Sequence, residues 1–411
     1  MPTKEDVRIV RELAARTAEV AALSVQETKR ALWRKLNTLK PERPMVMIDQ
    51  VCWNEMNVDD ELTLRCTDPE CRQYEESLRK VLFQWKHFPV DMVVDPFVRV
   101  PKAVINTGFG VVIQETTSVT DATNQVVGHI FTNQIRTDED VEKVRLPQIS
   151  HDAAQTAQRL ALAQELFGGL LEIRLSGVDP YLSLWDPLCT WMGVEGALYA
   201  MIDAPERVHK LLERMTQGYL GMLDQLEQQG LLCHHQSLIH CTGAWTDELP
   251  APGFNPDRPR TKDNWMFGLA QMLATVSPAM FQEFEVEYAS RICQRFGLVY
   301  YGCCDPLDRK MAQVRKIPNV RKISMSPWVD QHRGAAEIGK DFVFSRKPSP
   351  AMLAVDTFHV DNVRKDLQAT VDICRASGSP LELILKDIST VRYEPQRLFA
   401  WAKAAMEVVG G

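Results

Sequence analysis

Short, uniformly apolar runs alternate with amphipathic helical segments through the second half of the chain. The runs read LLEIRL, SLIHC, LVYYGCC, RKISMSP, DFVFSRK and LELILKDIS. Strands that lack a polar face are buried on both sides, so these runs predict a parallel sheet covered by helices. Every later expectation about this chain follows from that sheet, because the ends of its strands decide which side chains can meet.

Closure of the sheet into a barrel explains this alternation best. An open doubly wound sheet would usually carry a Gly-rich phosphate-binding turn, and neither G-x-G-x-x-G nor G-x-x-x-x-G-K-[ST] occurs here. We therefore predict an α/β fold, a (β/α)8 barrel of the TIM type, over residues 85–411. The helical spacing of VRIVRELAARTAEVAAL and YEESLRKVLFQW predicts an N-terminal helical extension and entry segment over residues 1–84.

Composition excludes two classes of partner. Among 411 residues, 47 Lys and Arg stand against 54 Asp and Glu, and no basic block gives the footprint of a nucleic-acid binder. No run of about 18 apolar residues offers a membrane span, and the first residues, MPTKEDVRIV, are charged where a signal peptide is apolar. We expect a cytoplasmic protein whose ten irregularly spaced cysteines are free thiols.

Polar side chains follow the predicted strands, where a barrel places its reacting groups. Acid–base or nucleophilic roles are expected for three of them, namely Asp95, Cys303 and Asp330. Substrate contacts are expected from aromatic, acidic, hydroxyl and basic residues, namely Trp53, Glu55, Tyr301, Ser326, Trp328, Lys347 and Lys386. The structural alternatives are a helix N-cap for Asp330, an ion pair for each lysine, and packing for each tryptophan.

A zinc site is the sharpest prediction from the cysteines. His240, Cys241, Cys303 and Cys304 supply thiolate and imidazole ligands, and a catalytic zinc leaves one of its four positions open. Neighbouring strand residues point to opposite faces, so strand geometry allows one ligand from each adjacent pair. Buried structural thiols beside a core histidine are the alternative, since free Cys is among the most buried residue types.

One long loop, TDELPAPGFNPDRPRTKDN over residues 246–264, interrupts the strand–helix rhythm. Because it follows a predicted strand, we expect it on the active-site face of the barrel. An active-site lid and a solvated excursion are equally compatible with its composition.

Several segments in order resemble the uroporphyrinogen decarboxylase-like superfamily. They include RTDEDVEKVRLP, DAPERVHKLLERMTQGYL, LVYYGCCDPLDRKMAQVRKIPNVRKISMSPWVD and IGKDFVFSRKPSP, and the resemblance covers roughly residues 80–408. It implies a (β/α)8 barrel with one of two activities. These are cofactor-free decarboxylation of uroporphyrinogen and zinc-dependent methyl transfer between corrinoid proteins and thiols.

The two activities make different demands on the sequence. The Arg-rich R-Q-A-G-R-Y motif of the decarboxylases is absent, and the corresponding region reads RPMVMIDQVCWNEMN. The methyltransferase His-x-Cys motif corresponds to Tyr301, Gly302 and Cys303, so the cysteine is present and a tyrosine replaces the histidine. No later cysteine occurs near residues 345–347.

We therefore predict a methyltransferase that moves a methyl group between a small methylated substrate and a corrinoid protein or thiol. The chain has no D-x-H-x-x-G segment, so a partner protein would supply the corrinoid. The alternative enzyme is a cofactor-independent decarboxylase of a carboxylic acid or tetrapyrrole. A barrel that only binds a ligand or protein is the third interpretation, and the resemblance is compatible with a homodimer.

Overall fold

The computed structural model describes residues 2–119 and 127–410. Within these ranges, every helix is too short or too polar to span a lipid bilayer. The α-helices are α1 (Lys4–Ala21), α2 (Ser24–Asn37), α3 (Pro69–His87), α4 (Asp138–Glu142), α5 (Ala153–Phe167), α6 (Trp185–Met192), α7 (Val194–Asp203), α8 (Pro205–Gln228), α9 (Pro278–Phe281), α10 (Glu287–Cys293), α11 (Met311–Val314), α12 (Gln331–Ile338), α13 (Ala351–Ala354), α14 (Val360–Ser377) and α15 (Gln396–Val409).

The strands are β1 (Met45–Ile48), β2 (Phe97–Pro101), β3 (Val104–Asn106), β4 (Glu115–Val119), β5 (Val127–Phe131), β6 (Ile149–His151), β7 (Glu172–Ser176), β8 (Tyr181–Leu182), β9 (Leu238–Ile239), β10 (Thr242–Gly243), β11 (Trp265–Gly268), β12 (Leu298–Tyr301), β13 (Val320–Met325), β14 (Val343–Arg346) and β15 (Leu381–Leu385). A π-helical segment, Gln282–Val286, connects α9 to α10.

A seven-stranded parallel sheet forms the centre of the molecule. Its strand order is β1-β15-β14-β13-β12-β11-β8. All residues of β11, β12, β14 and β15 are buried, as expected for strands covered on both faces. The sequence prediction of a mixed α/β fold with a parallel sheet is confirmed. In the described part of the chain, no hydrogen bonds join the two outer strands, β1 and β8.

The sheet begins well before the predicted domain boundary at residue 85. Strand β1 pairs with β15, with Met45 opposite Glu382 and Ile48 opposite Leu385. From α2, the indole of Trp33 donates a hydrogen bond of 2.9 Å to the carbonyl oxygen of Asp91. Residues 1–84 therefore include one strand of the sheet, because the apolar MVMI run is buried only when it pairs there.

Two predicted barrel strands have other places in the structure. LLEIRL overlaps β7, which pairs with β2 outside the main sheet, and SLIHC forms part of the β9–β10 hairpin. The loop over residues 246–264 precedes β11 and so reaches the amino end of that strand. The prediction that it follows a strand on the active-site face was wrong, since β11, the buried WMFG run, was not recognised as a strand.

A buried ion pair fixes the hairpin on one face of the main sheet. Lys322 of β13 and Glu382 of β15 are fully buried, and their charged atoms lie 2.7 Å apart. Lys322 also donates to the hydroxyl of Thr242 at 3.0 Å and to the carbonyl of Gly243 at 3.1 Å. Gly243 has no room for a side chain, because a Cβ there would lie 2.4 Å from the Trp33 ring. We call this the hairpin face of the sheet.

Removal of the Lys322 charge should destabilise the whole fold. Lys322→Met leaves the Glu382 carboxylate buried without its partner, so we expect a loss of about 3–5 kcal/mol in the free energy of unfolding. The double variant Lys322→Met with Glu382→Leu should recover most of this loss, because no buried charge is left. Urea unfolding followed by circular dichroism measures both. A double variant less stable than the single one would contradict this assignment.

Candidate functional site

Four side chains meet at the carboxyl ends of β12 and β15, and we call them the thiol cluster. They are Cys303, Cys304, Lys386 and, from the hairpin turn, His240. The Lys386 ammonium lies 3.1 Å from the Cys303 sulfur and 3.0 Å from Nε2 of His240. The Cys303 sulfur is 3.7 Å from the same nitrogen and 3.6 Å from the Cys304 sulfur. The sequence predicted all four residues for the site.

Local backbone geometry places Cys303 in this cluster. Gly302 has φ +88°, and a Cβ there would lie 2.5 Å from a methyl carbon of Leu307, so the turn after β12 requires glycine. The Cys303 N–H then donates to Oδ1 of Asp305 at 3.1 Å. Its carbonyl accepts from the hydroxyl of Ser324 at 2.7 Å. The Cys303 peptide is therefore held on both sides by buried groups.

His240 is held by an aromatic contact. It lies in the tight turn of the hairpin with a φ of +51°. Its ring stacks on Phe267 of β11, with centroids 4.0 Å apart and planes at 6°. The hairpin anchored by Lys322 and Glu382 thus carries the imidazole to the end of β12.

The cluster favours a thiolate at Cys303 and a thiol at Cys304. The hydrogen bond from Cys304, the contact with His240 and the positive charge of Lys386 lower the pKa of Cys303 against the effect of burial. The shared hydrogen bond raises the pKa of Cys304. Burial lowers the pKa of His240. Burial also acts to lower the pKa of Lys386. Attraction to Cys303 and Cys241 outweighs this effect, so the pKa of Lys386 is raised.

A second buried group lies on the hairpin face and includes Lys347. Its ammonium donates to the hydroxyl of Tyr300 and to that of Ser345, the latter at 3.1 Å. Tyr300 and Ser345 are themselves 2.9 Å apart. Burial lowers the pKa of Lys347 to about 8. Protein hydroxyl groups therefore hold the ammonium that the sequence assigned to an anionic substrate group.

Tyr301 does not reach the thiol cluster. Its hydroxyl donates to Oε1 of Glu285 at 2.8 Å, in the π-helical segment that covers the opposite face of the sheet. Burial raises the pKa of Glu285 to about 8. Successive strand residues point to opposite faces, so Tyr300 is the tyrosine near the cluster, with its ring 6.1 Å from that of His240. The structure therefore places Tyr301 away from the cluster, and its assignment to substrate binding has no support in this geometry.

The predicted zinc ligands do not converge as a set of four. Cys241 is buried outside the thiol cluster, and burial raises its pKa. Among the described residues, no group of three or more His, Cys, Asp or Glu side chains is placed to hold a metal ion. The Lys386 ammonium lies within hydrogen-bond distance of both His240 and Cys303, where a metal would meet a positive charge. This arrangement does not fit a tetrahedral zinc, and zinc stays a prediction.

Asp95 lies at a different cavity. Its carboxylate is 3.5 Å from the Arg30 guanidinium, and burial raises its pKa. The cavity has a volume of about 590 Å³ and is also lined by Trp245 and by Trp265, the first residue of β11. Asp95 is therefore not brought to the thiol cluster at the carboxyl end of β12.

Three predicted residues after β13 have structural surroundings. Asp330 is the N-cap of α12, where Oδ1 accepts from the Arg333 N–H at 3.0 Å. That hydrogen bond lowers the pKa of the exposed carboxylate. The ring of Trp328 is exposed, and Ser326 is buried with its carbonyl accepting from Arg346 at 2.9 Å. The N-cap alternative for Asp330 is the one that the structure shows.

Glu55 and Trp53 lie beyond β1. Oε2 of Glu55 accepts from Thr390 at 3.0 Å and from the N–H groups of Val391 and Tyr393, at 2.7 and 3.0 Å. Glu55 thus fixes the loop after β15. Trp53 lines a cavity of about 750 Å³ that Asp387 also lines. This cavity is next to the thiol cluster, because Asp387 accepts from the Cys304 thiol at 3.7 Å.

Sequence reasoning missed several residues near Cys303. Phe267 and Tyr181 lie on strands that the short apolar runs WMFG and YL did not reveal. Tyr181 donates to Oδ2 of Asp186 at 3.1 Å, and both groups interact electrostatically with Cys303. Asp387, which the sequence places at the same strand end as Lys386 and offers as its ion-pair partner, lies 3.3 Å from the Lys386 ammonium.

Comparison with known proteins supports the fold. No family model matches the chain, and no curated protein matches it. Among solved structures it is similar to a methyltransferase from Methanosarcina mazei, with a TM-score of 0.51 and 11% sequence identity. The similarity covers 93% of this chain and 97% of that one. At this identity the match shows a shared fold.

Charge pairing in the cluster predicts that Lys386 controls the reactivity of Cys303. In a Cys304→Ser background, Lys386→Met should raise the pKa of Cys303 above neutral and slow its alkylation by iodoacetamide at pH 7 by roughly tenfold or more, since each unit of pKa above the assay pH lowers the thiolate fraction tenfold. Lys340→Met, at an exposed lysine, is the matched control. Peptide mass spectrometry gives the rate at each cysteine. Equal rates in the Lys386 and Lys340 variants would remove Lys386 from this role.

Proposed function

We propose that the protein is a methyltransferase of the uroporphyrinogen decarboxylase-like superfamily, built on a (β/α)8 barrel. It would move a methyl group between a small methylated substrate and a corrinoid protein or thiol. One observation carries the proposal: the Cys303 sulfur lies 3.1 Å from the Lys386 ammonium at the carboxyl ends of parallel strands. That edge is where barrel enzymes place their chemistry. The shared fold with a methyltransferase supports the same assignment.

In this proposal the Cys303 thiolate is the nucleophile. It attacks the methyl carbon from the side opposite the leaving group, so a sulfur–carbon bond forms while the bond to the leaving atom breaks. In a second displacement the acceptor thiolate attacks the same carbon, so the bond between carbon and the Cys303 sulfur breaks and the Cys303 thiolate is released. Lys386 keeps the sulfur deprotonated before attack, and Asp387 holds the ammonium with a carboxylate oxygen 3.3 Å away. A corrinoid brought by a partner protein would supply a cobalt centre able to carry the methyl group. No step in this chain needs zinc.

A cofactor-free decarboxylase is the second candidate. Two lysines, Lys347 and Lys386, both interact electrostatically with His240, and ammonium groups suit a substrate carboxylate. Against it, each ammonium already has protein partners within hydrogen-bond distance.

Methyl transfer can be assayed directly with free methylcobalamin as donor and a small thiol as acceptor. We expect the purified protein to form the methyl thioether, and Cys303→Ser to reduce the rate by at least about 100-fold, because the attacking thiolate is gone. Cys374→Ser, at a buried cysteine on α14, should keep the rate. Carbon dioxide release from carboxylic acids, without any thioether, would favour the decarboxylase instead.

Metal content separates the two versions of the thiol site. Protein purified without chelator should contain far less than one zinc per chain if Lys386 serves as the partner of Cys303. About one zinc per chain, lost in Cys303→Ser and retained in Cys374→Ser, would show that metal takes the place of the ammonium. Elemental analysis by plasma mass spectrometry gives the ratio.

A further inference from the structure

An aromatic row borders the thiol cluster on the hairpin face. Phe267 of β11 pairs in register with Tyr181 of β8 on one side and with Tyr300 of β12 on the other. Its ring centroid is 5.7 Å from that of Tyr181 and 5.5 Å from that of Tyr300. Phe267 also carries the stacked His240. The row therefore extends from the cluster to β8.

Only one ring of this row is open to a ligand. Tyr300 is fully buried and Phe267 is 6% exposed, whereas Tyr181 is 48% exposed. Tyr181 is connected to Cys303 through the rings of Phe267 and His240, with His240 3.7 Å from the sulfur. An exposed tyrosine thus lies two rings away from the reactive sulfur.

Asp186 places a carboxylate next to this ring. Its Oδ2 accepts from the Tyr181 hydroxyl at 3.1 Å, and its N–H donates to the Ser183 hydroxyl at the same distance. Burial raises the pKa of this carboxyl group, against the hydrogen bonds from Tyr181, Ser183 and Gln271, which lower it. When ionised, Asp186 supplies a negative charge beside the exposed Tyr181.

The negative and positive side chains around the thiol cluster differ in exposure. The Asp387 side chain is 51% exposed, while Lys386 and Lys347 are each 3% exposed. Lys386 is offset by Cys303 and Asp387. The exposed groups of this region are therefore an aromatic ring and a carboxylate, whereas both ammonium groups are buried.

We propose that the methyl donor is a methylated onium cation, a quaternary ammonium or a sulfonium compound, bound by Tyr181 and Asp186. The inference rests on the proposed methyl transfer and names its substrate class. Aromatic faces attract onium groups, and the carboxylate supplies the opposite charge. The lone pair of the thiolate forms the sulfur–carbon bond, and the electron pair of the broken bond stays on nitrogen or sulfur. A neutral amine or sulfide leaves, so no proton has to be supplied.

The first test is binding of two probes of the same shape. Choline carries a trimethylammonium group, and 3,3-dimethyl-1-butanol is its neutral isostere. Calorimetry on the full chain should show choline binding at least about tenfold more tightly than the alcohol. Tyr181→Leu should weaken choline by about 2- to 30-fold, the range of a cation–π contact. Asp186→Asn should weaken it by at least about tenfold, and Tyr199→Leu, at an exposed tyrosine of α7, should not change it.

Failure of the inference can be told apart from failure of the proposed function. Equal affinity for choline and the alcohol would overturn the onium site. Unchanged choline affinity in both Tyr181→Leu and Asp186→Asn would also overturn it. In a separate assay, trimethylsulfonium serves as the methyl donor. Peptide mass spectrometry detects methylation of Cys303. Selective choline binding without methylation by any donor would keep the cation site and reject the methyltransferase. Methylation of Cys303 by neutral donors alone would keep the methyltransferase and reject the cation site.

Discussion

The buried pair of Lys322 and Glu382 is the interaction on which the site depends. Charges enclosed by a protein must be matched, and here the ammonium also binds the hydroxyl and carbonyl of the β9–β10 hairpin. The hairpin has only two residues in each strand and could not hold its place alone. Anchored by this pair, it delivers His240 to the end of β12. The Lys322–Glu382 pair in the middle of the sheet thus fixes the position of His240 at the carboxyl end of β12.

At the carboxyl end of β12, the Lys386 ammonium takes the place of the zinc ion that the cysteines and the histidine suggest. Two thiols, an imidazole and an ammonium are joined by four contacts shorter than 4 Å, and the ammonium contacts both the imidazole and the reactive sulfur. A positive side chain lowers the pKa of a thiol much as a metal does. The same sequence pattern of cysteine and histidine can therefore give either a metal site or a metal-free nucleophile, and the position of Lys386 favours the second.

The fold was predictable where burial left a clear pattern. The runs that became β12, β13, β14 and β15 have apolar cores and end in polar residues, and each was recognised. Strand β11 was missed because its four residues directly follow a long polar loop and lack the polar strand end that marks the other strands. That error moved the loop over residues 246–264 to the wrong end of the sheet. It also gave SLIHC a place in the barrel that belongs to β11.

The site was predictable from strand ends, but not its convergence. Cys303, Cys304 and Lys386 were predicted because polar residues after buried strands are uncommon without a role. His240 was predicted from SLIHC, which forms a hairpin outside the main sheet. Tyr301 lies on the opposite face because one residue of register reverses the face of a side chain. Glu55, Asp95 and Asp330 lie elsewhere, because a carboxylate that caps a helix, holds a loop or pairs with an arginine looks the same in sequence as one in a site.

The central claim is that Cys303 is a thiolate at neutral pH because Lys386 and its neighbours stabilise the charge. The ultraviolet absorbance of thiolates measures this directly when the difference between the native protein and Cys303→Ser is followed across pH. The account predicts a full thiolate signal at neutral pH that disappears only well below the ordinary cysteine pKa of about 8.5. A signal that develops only near or above that ordinary pKa would contradict it.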